Sequence, residues 1–220
     1  PITVERLAAP KAVENGFIVS DKDNLASGFT VNFKQVSGAS GYQLYKDGVL
    51  LNGKFSKNTA LTDNNVADAE NISEQHYTYM VRSMGGVKTV GNAKYVTLPC
   101  LSSEALSFDI TVQATPQNPV MSGFTLSWDA VAGNNGYVVG FAGATVTAQT
   151  ESYNLSTLKA GNYKVTVTAR GNGSDTLASN NSAPLTIQRL EAPTEIKISA
   201  SGNGTLQWKD VSNATGYETY

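Results

Sequence analysis

The chain has 220 residues, of which 16 are basic and 18 acidic, giving a formal net charge of −2. Charged residues make up 15%, well below the ~25% of an average globular domain, so no basic face tracks a phosphate backbone. Apolar residues at 40% and aromatics at 9% supply packed cores and exclude a disordered chain.

Taken in chain order, the predicted elements are strands. After Leu7, Ala8, Ala9 and Pro10, the residues Phe29, Val31 and Phe33 alternate with Thr30 and Asn32. Period two puts the three apolar side chains on one face of a half-buried strand. The loop from Val36 to Ser40 reverses the chain, and Tyr42 and Leu44 begin a second alternating strand. Asp47-Gly48 supplies a hairpin turn tolerant of positive φ. Tyr77, Tyr79, Val81 and Ser83 alternate further on, and Leu98-Pro99 marks a break. The pattern then recurs, with Phe124, Leu126 and Trp128 alternating, Val131 following, and Gly136-Tyr137 opening the next strand. A Gly161-Asn162 turn precedes alternating Tyr163, Val165, Val167 and Ala169. Leu190, Glu191, Ala192 and Pro193 echo the first junction, and Leu206, Trp208, Val211 and Gly216-Tyr217 start the pattern a third time. No amphipathic stretch of helical length occurs, and no run approaches the ~20 apolar residues of a membrane helix.

Three copies of one motif therefore organise the chain. Each has an aromatic residue (Phe33, Trp128 or Trp208), a Val three positions on, and Gly-Tyr at offsets eight and nine. Solenoid repeats run ~20–50 residues, so copies this far apart are whole small domains in tandem. The expected units are residues 1–99, 100–189 and 190–220. Short strands and polar turns make each unit an all-β sandwich. The third unit holds only its first strands, so the polypeptide is expected to continue past Tyr220, or a partner to supply the missing strands. Junctions this short, each with a proline, predict an extended, fairly stiff rod.

The aromatic–Val–Gly–Tyr motif followed by a Tyr-x-x-x-Val strand resembles fibronectin type III-like domains of bacterial surface and phage proteins. The run from Leu158 to Ala169 is similar to that family's tyrosine-corner strand, as is the run from His76 to Ser83. The resemblance implies that Trp128 and Trp208 are the core tryptophan of strand B, with Phe33 in that place in the first unit, while strand parity turns Tyr42, Tyr137 and Tyr217 inward. With Tyr77 and Tyr163 of the two tyrosine-corner-like strands, these eight residues are the expected structural core. It implies little about function, because this scaffold hosts many roles.

Candidate chemistry is sparse. His76 is the only histidine and Cys100 the only cysteine, which rules out paired-histidine metal sites, intrachain disulfides and thiolate clusters. His76 lacks a nucleophile-elbow partner and reads as a surface residue. Cys100 reads as a passive thiol in the linker. Asp21, Asp23 and Asn24, and Asp63 and Asn65, look like fragments of calcium loops without the ligand spacing, so they read as Asx-rich turns. Sequons begin at Asn71, Asn154, Asn172, Asn180, Asn203 and Asn213, in a composition where chance matches abound. Tyr45, Phe55 and Phe141 are candidates for an exposed sugar platform. The second unit has only 9 charges, which suits a surface whose stability does not depend on ion pairs.

The expectation is a non-catalytic spacer, stalk or adhesive module of a larger extracellular protein, on a bacterial surface or a phage virion. No catalytic residue, cofactor or metal is expected. The expected partners are other domains of the same protein, neighbouring structural subunits, or a cell-surface glycan or protein, with no nucleic acid and no membrane insertion. The alternative is a pair of accessory modules of a secreted polysaccharide-degrading enzyme.

Overall fold

The computed structural model describes residues 1–19, 21–51, 56–68, 70–198 and 204–219. Among these residues the chain is all-β, its only helical turns being two three-residue 3-10 segments at Leu25–Ser27 and Ser102–Glu104.

The first half contains β1 (Ile2–Arg6), β2 (Lys11–Val19), β3 (Phe29–Lys34), β4 (Gly41–Lys46), β5 (Val49–Leu50), β6 (Ala60–Asp63), β7 (Gln75–Met84), β8 (Gly86–Val90), β9 (Ala93–Leu98) and β10 (Leu106–Val112). One sheet runs β2-β3-β6, and the facing sheet contains β10-β7-β4-β5. Their inner faces meet in a core of Phe29, Val31, Phe33, Tyr42, Leu44, Leu61, Tyr79, Val81, Ile110 and Val112. The alternation read from the sequence produces this directly, since β3 is buried at Phe29, Val31 and Phe33 and open at the residues between. Asp47 and Gly48 both have positive φ (48° and 78°), which closes the β4–β5 hairpin with the twist that strand pairs favour. Phe29 packs edge-on against Tyr79 with ring centroids 4.7 Å apart.

The sheet of β7 and β4 continues past Leu98-Pro99 to take in β10. Residues 86–98 form a β8–β9 hairpin that pairs with β1 in a separate, largely exposed sheet. The strand that closes the sandwich is β10, which lies antiparallel to β7 with Ile110 opposite Tyr77. Cys100 is fully buried, not in an open linker, and its N–H donates to the Ser83 carbonyl at 3.2 Å.

The second half contains β11 (Val120–Ser122), β12 (Thr125–Ser127), β13 (Tyr137–Phe141), β14 (Ala144–Ala148), β15 (Ser152–Asn154), β16 (Gly161–Ala169), β17 (Thr176–Leu177), β18 (Leu185–Arg189), β19 (Thr194–Ile198) and β20 (Leu206–Lys209). The sheets β11-β12-β15 and β14-β13-β16-β18 enclose Leu126, Trp128, Tyr137, Val139, Val165, Val167 and Ala169. β19 and β20 form a two-stranded hairpin that leaves Ile196, Ile198 and Leu206 exposed.

The repeated motif is one local device built three times. In each unit the tyrosine hydroxyl accepts from the Val N–H six residues earlier, at 2.7 Å for Tyr42 and Val36, 3.0 Å for Tyr137 and Val131, and 2.6 Å for Tyr217 and Val211. The same tyrosine packs edge-on against the upstream aromatic, with centroids 4.6 Å apart for Phe33–Tyr42, 5.2 Å for Trp128–Tyr137 and 5.0 Å for Trp208–Tyr217. Such pairs add about 0.5–1.5 kcal/mol beyond area burial. Gly136 is needed at its place because φ is 92° and a Cβ would sit 2.9 Å from the Ala148 carbonyl.

Burial then separates the eight core candidates. Phe33, Tyr42, Trp128 and Tyr137 are buried. Tyr77 and Tyr163 are half-buried at the rims of their cores. Trp208 is half-buried and Tyr217 exposed, because among the described residues the third unit has no strands besides β19 and β20 to cover them. On β7 the fully buried ring is Tyr79, two residues beyond Tyr77. Tyr163 makes a tyrosine corner, its hydroxyl donating to the Lys159 carbonyl at 2.9 Å. Tyr77 does not, because its hydroxyl donates to the Gln75 side chain.

Candidate functional site at the junction of two sandwiches

A network of hydrogen bonds and one ion pair joins the two sandwiches where they meet. It is built mainly from the loop between β16 and β18. Arg170 continues the ladder past β16, its N–H donating to the Gly136 carbonyl at 2.9 Å. At Gly171 the chain turns across to the first sandwich, and the Gly171 N–H donates to the Lys22 carbonyl at 2.9 Å. Glycine is required here, since a Cβ would fall 2.1 Å from the Thr176 carbonyl oxygen. Asn172 holds the loop closed, with its side-chain oxygen accepting from the Ser174 and Thr176 N–H groups and its amide donating to Asp175 at 2.7 Å. That bond from Asn172 is the main reason the Asp175 carboxyl is held below the usual carboxylate range, with Thr176 and Ser174 adding to it.

β17 then adds to the free edge of β10 in parallel, pairing Thr111 with Thr176 and Val112 with Leu177. The Thr111 N–H donates to the Asp175 carbonyl at 2.9 Å, and the Gln113 N–H to the Leu177 carbonyl at 3.1 Å. Leu177 is fully buried, and it is buried in the core of the first sandwich. The returning chain lies back along β16, where Ser179 and Ser182 hydroxyls accept from the Ala169 and Val167 N–H groups, both at 2.9 Å. One loop of the second sandwich is thus a structural part of the first.

Side chains reinforce the joint. The Arg170 guanidinium pairs with Asp23 at 2.5 Å, with both side chains largely shielded. The Gln113 amide donates to the Gly133 carbonyl at 2.9 Å, and the Asn180 amide to the Asp68 carbonyl at 3.2 Å. Two clefts flank the joint. One, of about 270 Å³, is lined by Asp23, Asn24, Asn64, Asn65, Thr168 and Asn180. The other, of about 760 Å³, runs over Thr145, Thr147, Thr166 and Thr168 beside Asp21 and Asn181. Their linings are rich in hydroxyl and amide groups and poor in rings.

The remaining sequence candidates fall in ordinary structural settings. Asp21, Asp23 and Asn24 form the loop that meets Arg170. Asp21 accepts from the Asp23 N–H at 2.8 Å and Asn24 caps the first 3-10 turn. Asp63 is buried, with one carboxylate oxygen accepting from the Tyr79 hydroxyl at 2.7 Å and the other from the Asn65 N–H at 2.8 Å. Burial, and after it this bond to Asp63, push the Tyr79 hydroxyl far above its ordinary pKa. No cluster of three metal-ligating side chains occurs among the described residues. His76 is exposed, with its ring 3.2 Å from the Thr111 hydroxyl. Tyr45 is half-buried and donates to Gln43 at 2.8 Å, while Phe141 packs against the second core. Neither stands out as a platform, and Phe55 and Asn203 lie outside the described residues. Asn71, Asn154, Asn172 and Asn213 are exposed and Asn180 is half-buried.

No helix among the described residues is long and apolar enough to cross a membrane. No family model matches the chain, and no curated protein matches it. Among solved structures, the chain is similar to domains A168–A170 of titin at 12% identity with a TM-score of 0.27, covering 84% of this chain and 61% of that one. It is also similar to the FN1–FN3 domains of chicken CNTN1 at 17% identity with a TM-score of 0.23, covering 94% and 77%. The chain thus spans less than two thirds of the titin segment's length. The first two repeats have the fibronectin type III-like β-sandwich fold, seen in their facing sheets and the shared ring-and-tyrosine motif, with a tyrosine corner at Tyr163 in the second.

Proposed function

We propose that this chain is a non-catalytic spacer in a larger extracellular protein, one that holds neighbouring modules at a set angle on a bacterial surface or a phage virion. We take its units to be a first sandwich closing with β10, a second closing with β18, and a third beginning at about residue 190. The observation that carries the spacer reading is Leu177, a residue of one sandwich seated in the core of the other. A joint made of backbone pairing, a shielded ion pair and a shared core resists bending far better than a short linker alone. The low charge of the second unit suits an exposed setting of variable salt, where surface ion pairs contribute little. Binding partners would be adjoining domains or structural subunits.

Small-angle scattering of the full chain tests this. The expected curve fits one inter-unit angle, and combining Leu177→Asp with Arg170→Ala broadens it into a range of angles. A wild-type curve that already requires many angles refutes the spacer reading. The wide cleft over Thr145, Thr147, Thr166 and Thr168 favours a second reading, as accessory modules of a secreted polysaccharide-degrading enzyme, because neutral hydroxyl and amide groups suit a sugar face. Binding to an insoluble polysaccharide that is lost on Thr147→Arg is the result that reading requires.

A further inference from the structure

The strand β1 does not belong to the sandwich that follows it. In the first sandwich the closing strand β10 carries Ile110-Thr111-Val112-Gln113, followed by Ala114, Thr115 and Pro116. In the second, the closing strand β18 carries Leu185-Thr186-Ile187-Gln188-Arg189, followed by Leu190, Glu191, Ala192 and Pro193. Residues 2–10 read Ile2-Thr3-Val4-Glu5-Arg6, followed by Leu7, Ala8, Ala9 and Pro10. Position by position they match the β18 segment in residue or residue type except at Ala8, and they share Ile-Thr-Val with β10. Both matching strands lie antiparallel to a long strand that carries a tyrosine, with Ile110 opposite Tyr77 and Ile187 opposite Tyr163.

The surroundings of β1 differ from those of its two counterparts. Ile110 and Val112 are fully buried, and Leu185 and Ile187 pack on the second core. Ile2 and Val4 are 69% and 59% exposed. β1 lies parallel to β9 in a three-stranded sheet. Parallel pairing is the weaker kind and normally persists where both faces are covered. Here it leaves Ile2, Val4 and Val87 in solvent. A strand with an apolar face and one weakly paired edge is built to add to another sheet.

We infer that Ile2–Arg6 is the closing strand of a further sandwich on the N-terminal side of the first unit. Its apolar face, Ile2 and Val4, packs antiparallel against a strand of the β16 type, a Tyr-x-Val-x-Val run, supplied by the same polypeptide ahead of Pro1. This rests on the tandem-module reading above, which fails on a different observable, the scattering curve. The repeated closing sequence and its place directly before each new sandwich name the occupant.

Two measurements test the inference. Deleting residues 1–6 from the 220-residue chain leaves its thermal transitions within about 1 °C of wild type, whereas a drop of about 4 °C or more, the size expected for losing an integral strand of a small domain, overturns it. In a longer chain that includes the polypeptide ahead of Pro1, Ile2→Asp with Val4→Asp abolishes one additional unfolding transition. The same pair of substitutions leaves the 220-residue chain unchanged. An additional transition that survives the double substitution, a parent polypeptide with no sandwich ahead of Pro1, or a concentration-dependent dimer of the 220-residue chain that Ile2→Asp dissolves, each overturns it.

Discussion

Leu177→Ala is the sharpest perturbation available, because it alters the second sandwich in sequence and the first in energy. The leucine side chain is fully buried among residues of the first core. Complete burial of a leucine is worth ~1.5–3 kcal/mol in transfer free energy, and truncation to alanine costs ~2–5 kcal/mol once the residual cavity is included. β17 is only two residues long and sits at a sheet edge, where the chain can partly collapse onto the gap. The expected loss is therefore about 2–3 kcal/mol, and it falls on the first unit. The assay exploits the tryptophans. Trp128 lies in the second core and Trp208 in the third unit, while the first unit has neither. In a Trp208→Phe background, tryptophan fluorescence in urea follows the second unit, and hydrogen exchange of β3 and β7 amides follows the first. The reasoning predicts that exchange in β3 and β7 accelerates roughly 30- to 150-fold at unchanged tryptophan midpoint. A shift confined to the tryptophan transition, or a loss under about 1 kcal/mol in the first unit, refutes it.

Three further outcomes follow from the geometry. Trp128→Ala should cost ~3–5 kcal/mol and unfold the second unit, read as loss of its cooperative urea transition. Tyr79→Phe leaves the buried Asp63 carboxylate without its hydroxyl donor and should cost ~1–3 kcal/mol in the first unit, measured by denaturant titration. Asn172→Ala should bring the Asp175 pKa up towards the ordinary ~3.9 of an aspartate, seen by carboxyl NMR titration. Because folding depresses that pKa, the contribution of Asp175 to loop closure is present above the unfolded value and lost as pH falls through the folded one, so β17 should loosen only as pH drops below the ordinary aspartate range.

What the sequence made legible was the local chemistry. The hydroxyl-to-backbone bond between Tyr42 and Val36 spans six residues, and the ring pair with Phe33 spans nine. Both are visible as spacing, and so is the Asp47-Gly48 turn. Long-range partners were not legible. Leu98-Pro99 reads as a junction because a proline follows the last apolar residue, yet the strands just before it pair with β1 and stand outside the sandwich. The β7–β10 pairing is a long-range register that no local pattern announces. Parity placed Tyr77 and Tyr79 on the same face without saying which lies deeper, and the end of β7 leaves Tyr77 at the rim. The junction clamp was invisible because Thr176 and Leu177 sit in a Gly-, Asn- and Ser-rich stretch that reads as an ordinary turn, and nothing local marks Leu177 as another unit's core residue.

The borrowed leucine also has a consequence for synthesis. A ribosome delivers β2 through β10 well before residue 177 leaves the exit tunnel, so the first sandwich spends that interval without the Leu177 side chain in its core and with the outer edge of β10 bare. Its final locking waits on translation of a segment from the following module. Slowing elongation between residues 113 and 177 would lengthen the period in which that open edge is available to a neighbouring nascent chain on the same message.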